Sequence, residues 1–502
     1  MAAKRAGKQA EGRRPNIVFV FADDQRHDTI HALGNDCIKT PNLDKLVKRG
    51  TAFTQAHIPG GTVGAVCMPS RAMLNSGKTL FHLKDHGASI PEDHITLGEC
   101  LRSQGYRTFG TGKWHNGTES YARSFTDGEN IFFGGMWDHW NVPICSFSPN
   151  GKYESKIPFT PDFTANGKHV MVTGERIVTG VHSTELFTKS AINFIENYDS
   201  EDPFFIYLSY LAPHDPRTMP EEFRTMYDPK KIELPPNFQP VPMVNTGWSR
   251  GRDESLEPYP RDPDKIRQHI ADYYAMISHI DHWFGKLVAS LEKSGQLDNT
   301  IIIYCADNGL AVGQHGLMGK QSVYEHSIRV PLIMSGPGIS SGKLNDKYVY
   351  LLDIYPTLCE LCGLNTPSSV EGISFAKLLS DDSAKIRENL FFAFQGRARG
   401  VKNSRFKLIE YRTDDLKMTQ LFDLKTDPWE QYNFFDIDGY EEITRELRAL
   451  LREYSTAWDD QANDTGKVFW GLHKQYERES GAVLPKPKVR DYAKHIGVVP
   501  YL

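Results

Sequence analysis

Two short apolar runs set the tightest limit on how this chain can fold. Asn16-Ile-Val-Phe-Val-Phe-Ala22 is apolar after its first residue and leads straight into Asp23-Asp24. Thr300-Ile-Ile-Ile-Tyr-Cys-Ala306 leads in the same way into Asp307-Asn308-Gly309. Unbroken apolar runs of this length suit strands covered on both faces of a parallel sheet. Tyr106-Arg-Thr-Phe-Gly110 and Pro203-Phe-Phe-Ile-Tyr-Leu-Ser-Tyr-Leu211 read as further strands. Helical stretches alternate with them. The clearest runs from about Asp264 to Ser294, with Ile266, Ile270, Tyr273, Ile277, Ile280, Phe284, Leu287 and Leu291 at three-to-four spacing, and Gly295 ends it. The expected class is α/β with a mostly parallel sheet.

Open α/β sheets bind ligands at the C-terminal ends of their strands, and here two such ends carry oxygen donors. Alone, each pair serves equally well as a helix cap or a turn. Together, Asp23, Asp24, Asp307 and Asn308 describe a site for a hard cation, calcium or magnesium, because zinc would draw His or Cys instead.

Between the two runs lies Cys67-Met-Pro-Ser-Arg71, continuing Ala-Met-Leu-Asn-Ser-Gly77. The pattern C-x-P-S-R-x-x-L-x-x-G resembles the signature of the type I, formylglycine-dependent sulfatases of the alkaline phosphatase superfamily. An isolated match of this kind is weak, but the other parts follow in the family's order. They are Gly112-Lys113-Trp114-His115, Ala212-Pro213-His214-Asp215-Pro216 and Gly319-Lys320. Gln25-Arg26-His27 and Pro213-His214-Asp215-Pro216-Arg217 are similar to stretches of bacterial carbohydrate sulfatases. Leu421-Phe-Asp-Leu-Lys-Thr-Asp-Pro428-Trp-Glu is similar to the family's L-Y-D-L-x-x-D-P-x-E turn.

The resemblance implies the following. Cys67 is oxidised to 3-oxoalanine (formylglycine), whose hydrate is the nucleophile, by a formylglycine-generating or an anaerobic sulfatase-maturating enzyme. The oxidised Cys67 joins Asp23, Asp24, Asp307 and Asn308 around one divalent cation, calcium or else magnesium. Lys113 and Lys320 hold developing negative charge, the kind of preorganised electrostatics that dominates many reactions. His214, with Lys320, serves the leaving group, His115 assists the hydrate, and Arg71 orients it with its planar donors. The implied fold is a large mixed, mostly parallel sheet sandwiched by helices, with a smaller C-terminal antiparallel α+β subdomain. The implied substrate is a sulfated carbohydrate attacked from a chain end.

Composition enters as an exclusion. A formal charge of −5 in 502 residues, with pI near 6.4, lacks the basic footprint of a nucleic-acid binder. No apolar stretch is long enough to span a membrane. The residues before Pro15 are basic and polar with no apolar core, so no intact secretory signal is expected. By the resemblance the location is periplasmic or secreted if a signal was removed, and otherwise cytoplasmic. The seven cysteines show no zinc-ribbon spacing, and Cys359-x-x-Cys362 reads as one apolar helix face rather than a redox pair.

Three segments are expected: a polar arm over residues 1–14, the catalytic domain over 15–375, and the C-terminal subdomain over 376–502. In the last, strands are expected at Leu390-Phe394, Gly400-Lys402, Phe406-Tyr411 and Leu421-Leu424, then a helix at about Tyr440-Trp458. Long irregular excursions at Pro143 to Gly174 and Leu234 to Pro263 are expected to wall a substrate cleft. Candidate substrate contacts are Arg26, His27, His86, Trp137, Asp215, Arg217 and Arg397, with Asp36 and Trp140 nearby in loops; loop position is a weak warrant by itself. Two other functions compete. One is a phosphonate monoester or phosphodiester hydrolase of the same superfamily, although Asn308 in place of a histidine argues against a two-zinc arrangement. The other is a non-catalytic sulfoglycan-binding protein with unmodified Cys67.

Overall fold

A computed structural model describes residues 13–159, 170–249, 251–381 and 383–480. The expected polar arm therefore lies almost entirely outside the described residues, as does the end of the C-terminal segment.

The two apolar runs are neighbouring parallel strands, Asn16–Ala22 and Thr300–Ala306, paired in register from Asn16 with Thr300 to Ala22 with Ala306. Every residue of both is buried. Equal length and zero offset bring Asp23 and Asp307 off the sheet side by side. An eight-stranded sheet surrounds the pair in the order Lys343–Asn345, Thr51–Phe53, Leu332–Ser335, Thr300–Ala306, Asn16–Ala22, Phe204–Ser209, Arg107–Lys113 and Asp127–Phe132. Only Leu332–Ser335 runs antiparallel to its neighbours.

Alternation along each strand feeds two different cores. Val18, Val20, Ile206, Leu208 and Ile302 pack with Ile270, Tyr273, Ile277 and Phe284 of the long helix Pro263–Lys293. Ile17, Phe19, Phe21, Phe205, Tyr207, Ile301 and Ile303 join the cluster that includes Met73, Leu101, Leu358 and the C-terminal sheet. Both faces are covered, which is why the runs needed no polar alternation. Cys359 and Cys362 are buried in this second cluster, with Cys359 Sγ 4.0 Å from Cys100 Sγ.

The C-terminal sheet is antiparallel across Leu390–Phe394, Ala398–Lys402, Phe406–Arg412 and Lys417–Asp423. It takes a fifth, parallel edge from Gly60–Gly61, just upstream of Cys67. The expected helix is present as Glu441–Ala457, and a second, Asp464–Ser480, follows it. The expected segment boundary at 375/376 falls at the short turn Ala376–Leu379, but the sheet itself reaches back across it to Gly60. The Pro143–Gly174 excursion forms strands rather than an open loop: Asn141–Ile144 pairs with Arg176–Thr179, and Lys156–Phe159 with Val170–Thr173. No described helix is long and apolar enough to cross a membrane.

Candidate active site

Cys67 opens the helix Cys67–Ser76. Pro69 is tolerated there because amide groups in the first turn have no intrahelical partner. Arg71 follows at i+4, on the same face. That face meets the strand tips. Arg71 Nε donates to Asp307 Oδ2 at 2.8 Å, and its Nη1 donates to Ser209 Oγ at 2.5 Å and to the Lys113 carbonyl at 3.2 Å. Ser70 Oγ donates to the Asp307 carbonyl at 2.6 Å.

Strand Arg107–Lys113 delivers its last residue to the same point. Lys113 Nζ donates to Asp23 Oδ2 at 2.5 Å and lies 3.6 Å from Cys67 Sγ. His115, in the left-handed region at φ 72°, brings Nδ1 to 3.6 Å from the same sulfur. Its imidazole rests on Gly135, where a Cβ would come within 2.9 Å of the ring. Lys320 Nζ donates to Asp24 Oδ1 at 2.6 Å. His214 Nε2 stands 3.6 Å from Asp24 Oδ2, while its Nδ1 is 2.9 Å from the Asp215 carbonyl. His139 Nε2 lies 2.9 Å from the His214 carbonyl and steadies that turn.

The charges sort the two histidines. Burial, reinforced by Lys113 and Arg71, holds His115 well below the usual imidazole range, so it is neutral. Burial and Lys320 also pull on His214, but Asp24, Asp215 and Asp23 outweigh them and raise it. Burial pushes the Cys67 thiol up despite Lys113 and Lys320. An unmodified Cys67 is therefore protonated and a poor nucleophile, since the thiolate is the reactive form.

The donor set fits a hard cation. Asp23, Cys67 and Asp307 offer ligand atoms within 4.8 Å of one another. Asp23 Oδ1, Asp24 Oδ2 and Asn308 Oδ1 are buried without a hydrogen-bond partner. Asn308 spends its amide nitrogen on Asp24 Oδ1 at 2.7 Å and on the Gly309 carbonyl, which leaves its oxygen free. Buried acceptors are normally satisfied, and orphaned oxygens clustered at two strand tips are what calcium or magnesium would take. Burial and the neighbouring Asp23 charge raise Asp307.

Above these groups opens a cavity of about 310 Å³ lined by Cys67, His115, His214 and Lys320, with Gly64, Ala65, Gly135, Met136, Trp248, Arg252, Asp253 and Gln321. The Leu234–Pro263 excursion thus contributes to the wall. Among the described residues, the Pro143–Gly174 excursion does not; residues 160–169 lie outside them.

The candidate substrate contacts divide differently from the expectation. Asp215 sits just behind the wall, buried, joined to His214 and Arg252. The other six do not line the cavity. Arg26 is turned inward to Asp28 and the carbonyls of Leu310 and Ala311. His27 lies near Arg329 and Glu325, where burial lowers it well below its usual range. His86 is exposed and bound to Thr62 Oγ1 at 3.0 Å. Trp137 packs edge-on to Phe132. Arg217 is 2.7 Å from His269 Nδ1. Arg397 donates to the Thr246 carbonyl at 2.5 Å, so it acts on the loop that carries Trp248 and not on the cavity itself. Trp248, Arg252, Asp253 and Gln321 are among the wall residues that sequence reasoning passed over, with Gly64, Ala65, Gly135 and Met136; the signal available for the first four was their position in the long excursion and after Lys320.

A family described as Sulfatase matches residues 15–364, and one described as N-sulphoglucosamine sulphohydrolase, C-terminal, matches residues 313–457. The N-acetylglucosamine-6-O-sulfatase of Bacteroides thetaiotaomicron is 27% identical over 91% of this chain and 89% of its own length. An arylsulfatase of Clostridium perfringens is 27% identical over 91% of this chain and 98% of its own. A solved structure in complex with its substrate D-glucosamine-2-N,6-O-disulfate superposes with a TM-score of 0.68 at 25% identity, covering 90% of this chain and 99% of that one.

Proposed function

The chain belongs to the sulfatase family and is a sulfuric ester hydrolase, and from that premise we propose that it removes sulfate from a sulfated carbohydrate by way of an oxidised Cys67 beside one divalent cation. The observation that carries the reading is the convergence of Lys113 Nζ and His115 Nδ1 on Cys67 Sγ, each at 3.6 Å, next to three orphaned carboxylate and amide oxygens. The sugar is inferred from the relatives, one of which acts on N-acetylglucosamine-6-O-sulfate and another of which binds a glucosamine disulfate.

Oxidation of Cys67 to 3-oxoalanine by a maturation enzyme supplies an aldehyde hydrate, with one hydroxyl to take the sulfuryl group and a second whose collapse expels sulfate; covalent catalysis divides a difficult displacement in this way. Asp23, Asp24, Asp307, Asn308 and the oxidised Cys67 would hold the cation, calcium or magnesium, which when bound polarises the sulfuryl oxygens.

The remaining work belongs to the side chains. Lys320, on the cavity wall, and Lys113, buried beside Asp23 and Cys67, are suited to the negative charge of the sulfuryl oxygens. Neutral His115 is a base within reach of the nucleophile and accepts its proton. His214, its pKa raised, carries a proton for the departing alkoxide, which a sugar needs more than a phenolate does. Arg71, clamped by Asp307 and Ser209, fixes the helix start that presents residue 67.

The test is direct. The purified protein is expected to release sulfate from defined sulfated oligosaccharides, and Cys67→Ala to abolish that release while leaving the fold intact. Normal turnover by Cys67→Ala would remove the nucleophile. Faster turnover of phosphodiesters or phosphonates than of any sulfate ester in the same assay would favour the alternative hydrolase.

A further inference from the structure

Three consecutive residues of the Leu234–Pro263 excursion tie the surroundings of His214 to those of Lys320. The first, Arg252, reaches Asp215. Its Nη2 donates to Asp215 Oδ1 at 3.1 Å, and its Nη1 pairs with Oδ2, so two prongs fix the plane of that carboxylate. Asp215 in turn holds one edge of the His214 ring. Its Oδ1 is 3.2 Å and its carbonyl oxygen 2.9 Å from His214 Nδ1, while Nε2 on the other edge faces Asp24.

The next two residues reach the segment that carries Lys320. Asp253 Oδ1 pairs with Arg252, and its Oδ2 accepts from Gln321 Nε2 at 2.7 Å. Gln321 Nε2 also donates to the Gly64 carbonyl at 3.0 Å, and Gln321 Oε1 accepts from Lys320 N at 3.0 Å. Glu254 Oε1 accepts from Gly319 N at 2.9 Å, and its Oε2 from Met318 N at 3.0 Å. The main chain is thus held on both sides of Lys320. Charge is balanced throughout. Asp215 faces His214 and Arg252, Asp253 faces Lys320 and Arg252, and both carboxyls stay below their usual range against the upward pull of burial. Arg252, with 44% of its side chain exposed, grips two acids that are themselves buried, so solvent screens these pairs less than a surface pair. These groups are committed to one another, and what they supply is placement.

On the reading that His214 and Lys320 serve the leaving group, we propose that Arg252 is a positioning residue: by clamping Asp215 and gripping Asp253 it sets the His214 imidazole in register with Lys320. A proton donor works only when it is held in reach of the departing oxygen, and a misplacement of about 1 Å can cost ~10²-fold. Arg252 itself touches neither the nucleophile nor the acids of the cage.

The experiment measures kcat and KM on the sulfated sugar that the wild type cuts fastest, and on 4-nitrophenyl sulfate. It does so for the wild type, Arg252→Gln, His214→Asn and the double variant. Arg252→Gln is expected to lower kcat on the sugar ester by ~10–100-fold with KM little changed. It is expected to slow 4-nitrophenyl sulfate far less, which also shows that the variant is folded. In the His214→Asn background the same substitution is expected to cost no further activity on the sugar, because its effect passes through the imidazole already removed. Equal losses on both esters, a loss confined to KM, or the full Arg252→Gln loss repeated in the double variant overturns the inference. If His214→Asn slows both esters alike, the assignment of His214 to the leaving group fails and the inference falls with it. If His214→Asn separates the two esters and Arg252→Gln does not, only the inference falls.

Discussion

His115 and His214 line one cavity, yet their surroundings drive them to opposite protonation states. Burial beside Lys113 and Arg71 keeps His115 neutral, whereas Asp24, Asp215 and Asp23 keep the proton on His214. This asymmetry gives a test at single-residue scale. His214→Asn is expected to slow hydrolysis of a sugar sulfate by ~10²–10⁴-fold, the usual worth of a general acid, and to slow 4-nitrophenyl sulfate far less, because that leaving group needs no proton. An equal loss on both esters would assign His214 to binding instead. The residues of the cage were legible in the sequence because each sits in a short motif whose chemistry is local: Lys113 with His115, Asp23 with Asp24, Asp307 with Asn308. Trp248, Arg252 and Asp253 were not, since they lie in an aperiodic loop and acquire a role only through Asp215, Gln321 and Gly64. Arg26 misled for the converse reason. It neighbours the acid pair in sequence, but its guanidinium turns away to carbonyls some 285 residues further along.

At the scale of elements, one helix depends on a carboxyl supplied from another. The helix Pro41–Arg49 gets no side-chain cap from Thr40. Asp281 of the long helix accepts from Leu43 N at 2.7 Å and Asn42 N at 3.0 Å instead. Burial still raises the Asp281 carboxyl to about 6 despite those bonds. A folded-state value above the unfolded one means that this group's contribution is complete below pH ~4 and is lost as the pH climbs through about 6. The loss is at most ~3 kcal/mol for a shift of about two units. Asp281→Asn, which keeps an acceptor but does not titrate, is expected to flatten the decline in denaturant stability between pH 4 and 7, and an unchanged slope would contradict the assignment. Asp281→Ala is expected to cost ~0.5–2 kcal/mol near pH 4, as lost caps do, and progressively less as the pH rises through about 6. Such a cap could not be read from sequence, because capping patterns are sought within a few residues and this one spans the distance from residue 43 to 281. Strands and the long helix were legible because periodicity is local; strand order, and the return of the C-terminal sheet to Gly60–Gly61, are not.

For the molecule as a whole, three acids meet at the two strand tips, each facing a cation yet short of hydrogen bonds. Asp23, Asp24 and Asp307 are all buried, and three oxygens of the cluster lack hydrogen-bond partners. A chelator is expected to lower the melting temperature and abolish turnover together, with calcium restoring both. Saturation at ~100 times the dissociation constant is worth about 2.7 kcal/mol of stability. A melting temperature indifferent to chelator and calcium would show that Arg71, Lys113 and Lys320 suffice to balance these acids. The same geometry couples the whole architecture to one sulfur. The strand register brings Asp23 beside Asp307, the C-terminal sheet holds Gly60–Gly61 just ahead of the helix, and that helix presents residue 67 to both. The measurement that bears most directly on this account is the mass of the peptide carrying Cys67, taken from protein whose turnover has been determined. The prediction is an aldehyde at position 67, with activity proportional to the fraction converted. Full turnover from protein whose Cys67 is entirely thiol would contradict it.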